Sequence, residues 1–417
     1  MTADGNQWAT VNERGELVIP AAFAEQFGLH PGAQVRLESG TNSLRLHRPV
    51  TQLAKVYVEP TDMCNLECAM CMRQGWEVPL GRMSESTFQS ILQGLGKLHP
   101  LPTVFFGGLG EPLFHRSTIE WIAQVIAIGA RVELITNGVM LTEKHGKQII
   151  ESGLDVIWIS IDGATPEGYA DVRLGAELSK VIENVRRFRR MRPGGHLPRP
   201  VIGIAFVAMK RNIQDLPAVI KLGRELGAKR FSISNVMPYT EAMQDERLYV
   251  RSLRNITYLS SPWLPYLNLP KMDIDNLTQE AFFKALNSGC NVTFTGSGLS
   301  VANDVCNFIA SGSMSIAWDG GVSPCWPLMH THISYLHGKE HRTRCHKVAN
   351  VNDLDLREIW LDPDYVEYRR KVQSFGFAPC TYCGGCDLSE ANEEDCIGNG
   401  FPACGSCLWS QGLIQCP

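Results

Sequence analysis

The residues of this 417-residue chain best equipped for chemistry are its cysteines, fourteen in all and unevenly placed. Cys64, Cys68 and Cys71 fall within eight residues as C-x3-C-x2-C, while the other eleven lie at or beyond Cys290, seven of them between Cys380 and Cys416. A reducing compartment disfavours disulfides, so clustered cysteines point to metal or redox chemistry. Three thiolates on one short loop can hold three irons of a [4Fe–4S] cluster and leave the fourth without a protein ligand. An open coordination position is where a small molecule chelates and reacts, as at catalytic zinc. A zinc loop short of its fourth ligand, or three buried free thiols, are the alternative readings.

Such a loop needs a scaffold. Between Lys55 and Tyr239 short apolar runs alternate with amphipathic stretches. Strands are expected over 55–59, 103–106, 131–136, 156–161, 201–208 and 230–235, each apolar on both faces as a buried parallel strand requires. Helices are expected over 84–98, 117–129, 144–152, 180–191 and 216–227. Six β/α units with right-handed crossovers make a curved parallel sheet, either doubly wound or an incomplete barrel. Chemistry in such sheets collects at the C-terminal strand ends. The cysteine triad follows the first strand directly. Phe106-Gly107-Gly108-Leu109-Gly110-Glu111-Pro112 ends the second, Thr136-Asn137-Gly138 the third and Ser160-Ile161-Asp162-Gly163 the fourth, with Arg173 shortly after. Taken singly, each is ordinary turn chemistry or a surface arginine.

Together they resemble the radical S-adenosylmethionine (SAM) superfamily. The resemblance implies that SAM chelates the open iron of a cluster on Cys64, Cys68 and Cys71. An electron from that cluster cleaves SAM to methionine and a 5′-deoxyadenosyl radical, which takes hydrogen from substrate. Gly107, Gly108, Gly110 and Glu111 match the family's GGEP loop, where backbone and carboxylate hold the SAM ammonium and glycine permits close approach. Asn137, Ser160, Asp162 and Arg173 are the further expected SAM contacts, and a guanidinium fork suits a carboxylate. Met70 stands where the family often has an aromatic beside the adenine; a thioether can pack on the same face.

The later cysteines, Cys306-x13-Gly320-x4-Cys325 and Cys380-x2-Cys383-x2-Cys386, then Cys396, Cys404-x2-Cys407 and Cys416, resemble the SPASM extension of radical SAM enzymes. That extension carries auxiliary clusters, and two [4Fe–4S] clusters are expected here. Nine cysteines exceed the eight that two clusters need, and the second half departs from the usual C-x2-C-x5-C-x3-C. Cys290 and Cys345 stand apart as spare or structural thiols. A zinc ribbon on the paired C-x2-C units is the alternative. Five histidines (His330, His332, His337, His341, His346) lie among Lys339, Arg342 and Arg344 and read most simply as a solvated loop, with a substrate- or anion-binding role as the second reading.

The first fifty residues, with "RGELVIPAAFAEQFGLHPGAQVRL", resemble the AbrB-like swapped-hairpin fold: a short strand after Gly15, a helix over 21–27 stopped by Gly28, a turn at Pro31-Gly32 and a strand over 34–37. Four arginines (Arg14, Arg36, Arg45, Arg48) face five acids (Asp4, Glu13, Glu16, Glu25, Glu38). A DNA-binding face should be basic, so dimerisation or partner docking is expected in place of DNA. The fold expected is therefore α/β: a partial (β/α)6 TIM-like radical SAM barrel over 51–240, an AbrB-like β module over 1–50, a bridge over 241–300 and a Cys-rich SPASM-type domain over 301–417.

Whole-chain likeness is greatest to the tungsten-cofactor oxidoreductase radical SAM maturases, carried by Cys380-Thr381-Tyr382-Cys383-Gly384-Gly385-Cys386 and the tail from Glu394 to Gly412. It implies action on a tungstopterin aldehyde:ferredoxin oxidoreductase or its cofactor, fed by a low-potential donor such as ferredoxin or flavodoxin. A small peptide substrate is the second enzyme reading. Sulfatase maturases place a general-base Asp where this chain has Trp326, which argues against that activity. An Fe–S-sensing AbrB-like regulator is the reading of another class. Lys+Arg 39 against Asp+Glu 43 gives −4, which leaves no excess positive charge for general nucleic-acid or anionic-membrane binding. No apolar stretch approaches the ~20 residues that span a bilayer, and no secretory signal opens the chain. A soluble, cytoplasmic protein is expected.

Overall fold

The computed structural model describes residues 8–39, 43–76, 78–194, 198–249, 306–336, 338–383 (the backbone alone at 382 and 383), 386–410 and 414, and the backbone of three strands between 266 and 298. At the N-terminal end β1 (Thr10–Val11) pairs antiparallel with β2 (Leu17–Val18). Asn12 Oδ1 accepts the N–H groups of Arg14 and Glu16 to close the turn between them. Helix α1 (Ala21–Phe27) stops at Gly28, which takes the left-handed conformation (φ 69°) that a residue without Cβ adopts freely. β3 (Leu37–Ser39) pairs with β4 (Leu44–Leu46). It starts three residues later than expected, because the turn that bonds Ala33 N–H to the His30 carbonyl lies just ahead of it. Val11, Leu37 and Leu44 are 68%, 60% and 56% exposed, so neither ribbon buries its apolar side chains within this chain.

All six expected strands form: β5 (Lys55–Val58), β6 (Thr103–Phe106), β7 (Val132–Thr136), β8 (Val156–Ser160), β9 (Val201–Ala208) and β10 (Ala228–Asn235). Every neighbouring pair is parallel and the order is sequential. A doubly wound sheet would reverse its order at a switch point, so the sheet is an incomplete barrel. Between the strands run α2 (Glu85–Gly96), α3 (Thr118–Ala127), α4 (Glu143–Glu151), α5 (Pro166–Ala170), α6 (Leu178–Met191) and α7 (Leu216–Glu225). Ser84 and Thr142 cap α2 and α4 through their hydroxyl oxygens.

Alternate residues of the strands enter two different cores. Val56, Val58, Val104, Phe106, Ile157 and Ile159 pack among the helices. Tyr57, Phe105, Val156 and Trp158 point to the other face, where they meet Phe308, Trp326 and Met329 from the C-terminal region. The rings of Tyr57 and Trp326 stack with centroids 5.6 Å apart. Aromatic side chains bring large apolar area to such a contact, so the extension plugs the concave side of the barrel.

β11 (Tyr266–Leu269), β12 (Asn291–Phe294) and β13 (Ser297–Gly298) form a separate small sheet. The rest of the expected bridge beyond residue 249 lies outside the described residues. β14 (Ser313–Ile316) pairs parallel with β5, and β15 (Gly321–Ser323) follows antiparallel. β16 (His332–Leu336) and β17 (Lys339–Thr343) form a hairpin, and β18 (Ala349–Asn350) ends the main sheet beside β15. The extension thus covers the edge that β5 would otherwise expose. It also forms two helices, Leu356–Leu361 and Pro363–Ser374, the first opened by an Asp355/Glu358 capping box. Arg369 in the second is buried between the Trp360 and Tyr365 rings and donates to the Val50 carbonyl at 3.0 Å, tying the linker ahead of β5 to the extension.

One expectation is corrected outright. The histidine-rich stretch 330–346 is not a solvated loop: His330, His332 and His341 are buried, because the β16–β17 hairpin lays them against the barrel and the tail. His341 Nδ1 pairs with the Ser389 carbonyl at 2.7 Å, and His330 with Glu59. His337 lies outside the described residues.

Candidate functional site

The loop that follows β5 carries Cys64, Cys68 and Cys71. Leu66 N–H points at the Cys64 sulfur (3.4 Å), and Cys71 N–H bonds the Cys68 carbonyl (3.1 Å), so the loop turns tightly between the three cysteines. Burial pushes all three thiols up, Cys71 to about 11, while Arg173 beside Cys68 and Arg73 beside the others pull the other way. A metal that took the proton's place would supply the positive charge these buried sulfurs need to become thiolates.

The loop after β6 packs closely on the protein around it. A Cβ at Gly107 would lie 2.6 Å from the Phe105 ring, at Gly108 (φ +123°) 2.5 Å from the Glu59 side chain, and at Gly110 2.3 Å from the Thr61 carbonyl oxygen. Glycine is needed because this loop lies flat on its neighbours. Glu111 is buried and accepts from Thr136 Oγ1 (2.7 Å), Asn137 N–H (2.7 Å) and Leu113 N–H (3.1 Å). Three of about four acceptor sites on that carboxylate are thereby filled by the protein, so Glu111 ties the β6 loop to the β7 loop. Burial raises its pKa, against these three donors.

Asn137 extends the tie: its Nδ2 donates to Asn65 Oδ1 at 2.9 Å and lies 3.8 Å from the Cys64 sulfur. Ser160, at the end of β8, is buried. Asp162 is fully buried and paired with Arg173, whose Nη1 approaches the Cys68 sulfur at 3.9 Å. Burial alone would lower the Arg173 pKa, but Asp162 and Cys68 outweigh it and raise it. One cavity is lined by Cys68, Cys71, Gly108 and Arg173 together with Trp326 and Trp409 of the extension. Met70 lines it too, among Val172, Met209 and Val236.

Behind the two tryptophans a second enclosure is lined by Cys306, Cys325, Cys404 and Cys407. Burial raises these thiols, Cys306 to about 12, and Cys325 is raised further by the other three. Tyr368 Oη lies 3.3 Å from the Cys404 sulfur. Among the described residues no three Cys, His, Asp or Glu side chains converge as closely as a single metal ion requires. Cys380 is buried beside Gly405, while Cys386 and Cys396 are exposed. The side chain of Cys383, and Cys290 and Cys416, lie outside the described residues. Cys345 is half-buried, apart from both thiol sets.

Two contributors escaped the sequence reading. Glu59 is buried at the end of β5, and His330 lies 271 residues on; their 2.8 Å contact is visible only in three dimensions.

Among the described residues no helix is long and apolar enough to cross a membrane. Residues 58–223 match the model of the radical SAM superfamily, and residues 306–387 that of the SPASM iron–sulfur cluster-binding domain. The chain is 29% identical over 366 residues, 87% of its own length and 96% of the relative's, to a tungsten-containing aldehyde ferredoxin oxidoreductase cofactor-modifying protein of Pyrococcus furiosus. It is 28% identical over 192 residues to a PqqA peptide cyclase of Gluconobacter oxydans, covering 46% of this chain and 50% of that one. Streptococcus suis SuiB bound to S-adenosylmethionine shares the fold, with a TM-score of 0.53 at 15% identity over 81% of this chain and 71% of that one. The cysteine triad, the glycine loop and the Cys-rich extension lie within the matched regions: the chain carries a radical SAM domain over residues 58–223 and a SPASM domain over residues 306–387, and these two domains indicate SAM and iron–sulfur clusters as cofactors.

Proposed function

We propose that this protein cleaves SAM reductively and uses the resulting radical to mature a tungstopterin oxidoreductase or its cofactor. The observation that carries the reading is a cavity lined both by Cys68, Gly108 and Arg173 of the barrel and by Trp326 and Trp409 of the extension, with Trp409 also lining the enclosure of the second thiol set. Cys64, Cys68 and Cys71 would hold the SAM-binding cluster. Cys306, Cys325, Cys404 and Cys407 would hold one auxiliary cluster, and Cys380, Cys383, Cys386, Cys396 and Cys416 remain for a second. When bound, the first cluster supplies the electron that divides SAM into methionine and the 5′-deoxyadenosyl radical.

The chain's own residues do the rest. Gly107, Gly108 and Gly110 let the loop seat on Phe105, Glu59 and Thr61 so that Gly108 lines the cavity, Glu111 and Asn137 hold the loops in register, Ser160 lies at the same strand ends, and Asp162 aims Arg173. Trp326 and Trp409 close the far wall and keep water from a radical. The 29% likeness to the cofactor-modifying protein supports the tungstopterin target. The same indole wall, with the likeness to a peptide cyclase, supports a peptide substrate as the second reading. A ferredoxin or flavodoxin would supply electrons, and the exposed apolar ribbons of residues 8–46 would pair with a second copy of the chain.

The test is anaerobic. Reconstituted protein given SAM and dithionite should release 5′-deoxyadenosine, and the Cys64/Cys68/Cys71→Ala variant should release none. Product formation that rises with an apo tungstopterin oxidoreductase, and not with peptides encoded beside the gene, supports the maturase reading; the reverse supports the peptide. Iron-loaded protein that cleaves no SAM would end both.

A further inference from the structure

Glu59 stands at the C-terminal end of the first barrel strand with its carboxylate 1% exposed, and both oxygens are in use. Oε1 accepts the backbone N–H of Leu109 at 3.0 Å, inside the glycine loop. Oε2 accepts from His330 Nε2 at 2.8 Å. Gly108 lies so close over this side chain that a Cβ there would reach 2.5 Å from its Cγ. The loop therefore rests on Glu59, and Glu59 is held from below by a residue of the extension.

His330 also meets the loop of the cysteine triad. The Trp76 ring, five residues after Cys71, packs edge-on to the imidazole with centroids 4.6 Å apart. Neighbouring Gly75 has no room for a Cβ, which would lie 2.7 Å from the Ile333 carbonyl oxygen. One imidazole thus contacts the segment after the cysteine triad through Trp76 and reaches the glycine loop through Glu59, yet it lies on the strand-and-turn framework of the SPASM domain.

We propose that Glu59 and His330 are positioning residues for SAM: His330 holds the Glu59 carboxylate, and Glu59 fixes the Leu109 N–H and with it the glycine loop. The proposal rests on reading residues 107–112 as the SAM-binding loop. A buried carboxylate left without its donor takes up another arrangement or draws in water, and either moves Leu109. The extension would then set SAM affinity directly, besides carrying auxiliary clusters. Burial opposes protonation of His330, but the bond to Glu59 outweighs it and raises its pKa. The charged and titratable groups facing it are Glu59 from β5, Asp62 from the cysteine loop, Asp319 from the β14–β15 turn, and His332 and Lys347 from the extension.

The experiment measures SAM binding by equilibrium dialysis on reconstituted holoprotein, with iron content and SAM-cleavage kinetics measured in parallel. His330→Leu should bind SAM about tenfold more weakly, with iron unchanged and the cleavage rate at saturating SAM near wild type. His330→Gln, which keeps an N–H donor, should recover most of that affinity. Glu59→Leu should match His330→Leu, and the double variant should add little to either. Wild-type affinity should decline relative to His330→Gln as pH rises through the histidine's raised pKa. Equal affinity in wild type and His330→Leu overturns the proposal, as does a loss of affinity that appears only together with lost iron. Wild-type holoprotein that fails to bind SAM would instead overturn the reading of the loop.

Discussion

Arg173 aims both Nε and Nη2 at one oxygen of Asp162, each at 2.6 Å, while the other oxygen of Asp162 accepts the Val207 N–H at 2.6 Å. The pair is fully enclosed, so each member is tolerated because of the other. Asp162→Ala should cost about 3–5 kcal/mol of stability, read as a lower urea midpoint, and weaken SAM binding by releasing Arg173. Asp162→Asn keeps an acceptor for Val207 and should fall between the two. A wild-type midpoint for the alanine variant would show that the pair is dispensable.

Gly110 has the least room in its loop, with carbonyl oxygens of Thr61 and Met63 at 2.3 and 2.5 Å from where a Cβ would stand. Backbone atoms cannot step aside as a side chain can. Gly110→Ala should therefore abolish SAM cleavage while leaving iron content within error of wild type. Retained cleavage would mean that the loop can shift without consequence.

The Tyr368 hydroxyl is the nearest polar neighbour of the Cys404 sulfur. A hydrogen bond to a cluster thiolate favours the reduced, more negative state. Tyr368→Phe should lower the potential of one auxiliary cluster in a spectroelectrochemical titration without loss of iron. Cys404→Ala should lose about four irons per chain. If Cys404→Ala keeps all its iron, the four-thiol set is wrong.

Histidines in the extension give stability a defined pH dependence. Burial lowers His332 to about 4 and also lowers His341 and His346. Their folded pKa values lie below the ~6.5 of an unfolded chain, so their contribution is lost as pH falls from there toward 4. His332 alone accounts for something on the order of 3 kcal/mol at the acid end. His330 has the opposite sign: its raised pKa stabilises the fold below about 6.5 and that contribution fades at higher pH. The difference in urea midpoint between wild type and His332→Gln should therefore shift in favour of the variant as pH drops from 7 to 5. A constant difference would refute the assignment.

The N-terminal ribbons expose Trp8, Val11, Leu37 and Leu44, which is apolar surface that a second copy can cover. A chain beginning at residue 47 should sediment as a monomer while the full chain sediments as a dimer. Both should cleave SAM, since the truncation leaves the anchors of the linker, Val50 and Thr51, bonded to Arg369 and Trp360. Equal sedimentation would assign the ribbons to another partner.

The barrel was legible because β5 to β9 are short, largely apolar runs separated by amphipathic helices, while β10, with exposed Lys229 and Arg230, is the polar outer strand. The cysteine triad and the glycine loop were legible because their spacing is local. The buried histidines were not, since a histidine among lysines and arginines looks solvated until a hairpin turns it inward. The capping box Asp355-Leu356-Arg357-Glu358 was a readable start signal for helix Leu356–Leu361 inside a region that looked irregular.

By itself the sequence determined the six strands and the helices between them, the placing of the cysteine triad and the glycine loop at strand ends, and the family resemblance, because all of these follow from short-range spacing. Tertiary structure alone decided that Cys306 and Cys325 meet Cys404 and Cys407, that Arg173 is spoken for by Asp162, and that Glu59 leans on His330. The Arg173–Asp162 pair forms within the barrel, across the loop and short helix that follow β8. The other two join segments about a hundred or more residues apart, and arise because the extension adds its strands to the edge of the barrel and packs its aromatic rings into the open side, a contact that no local pattern encodes.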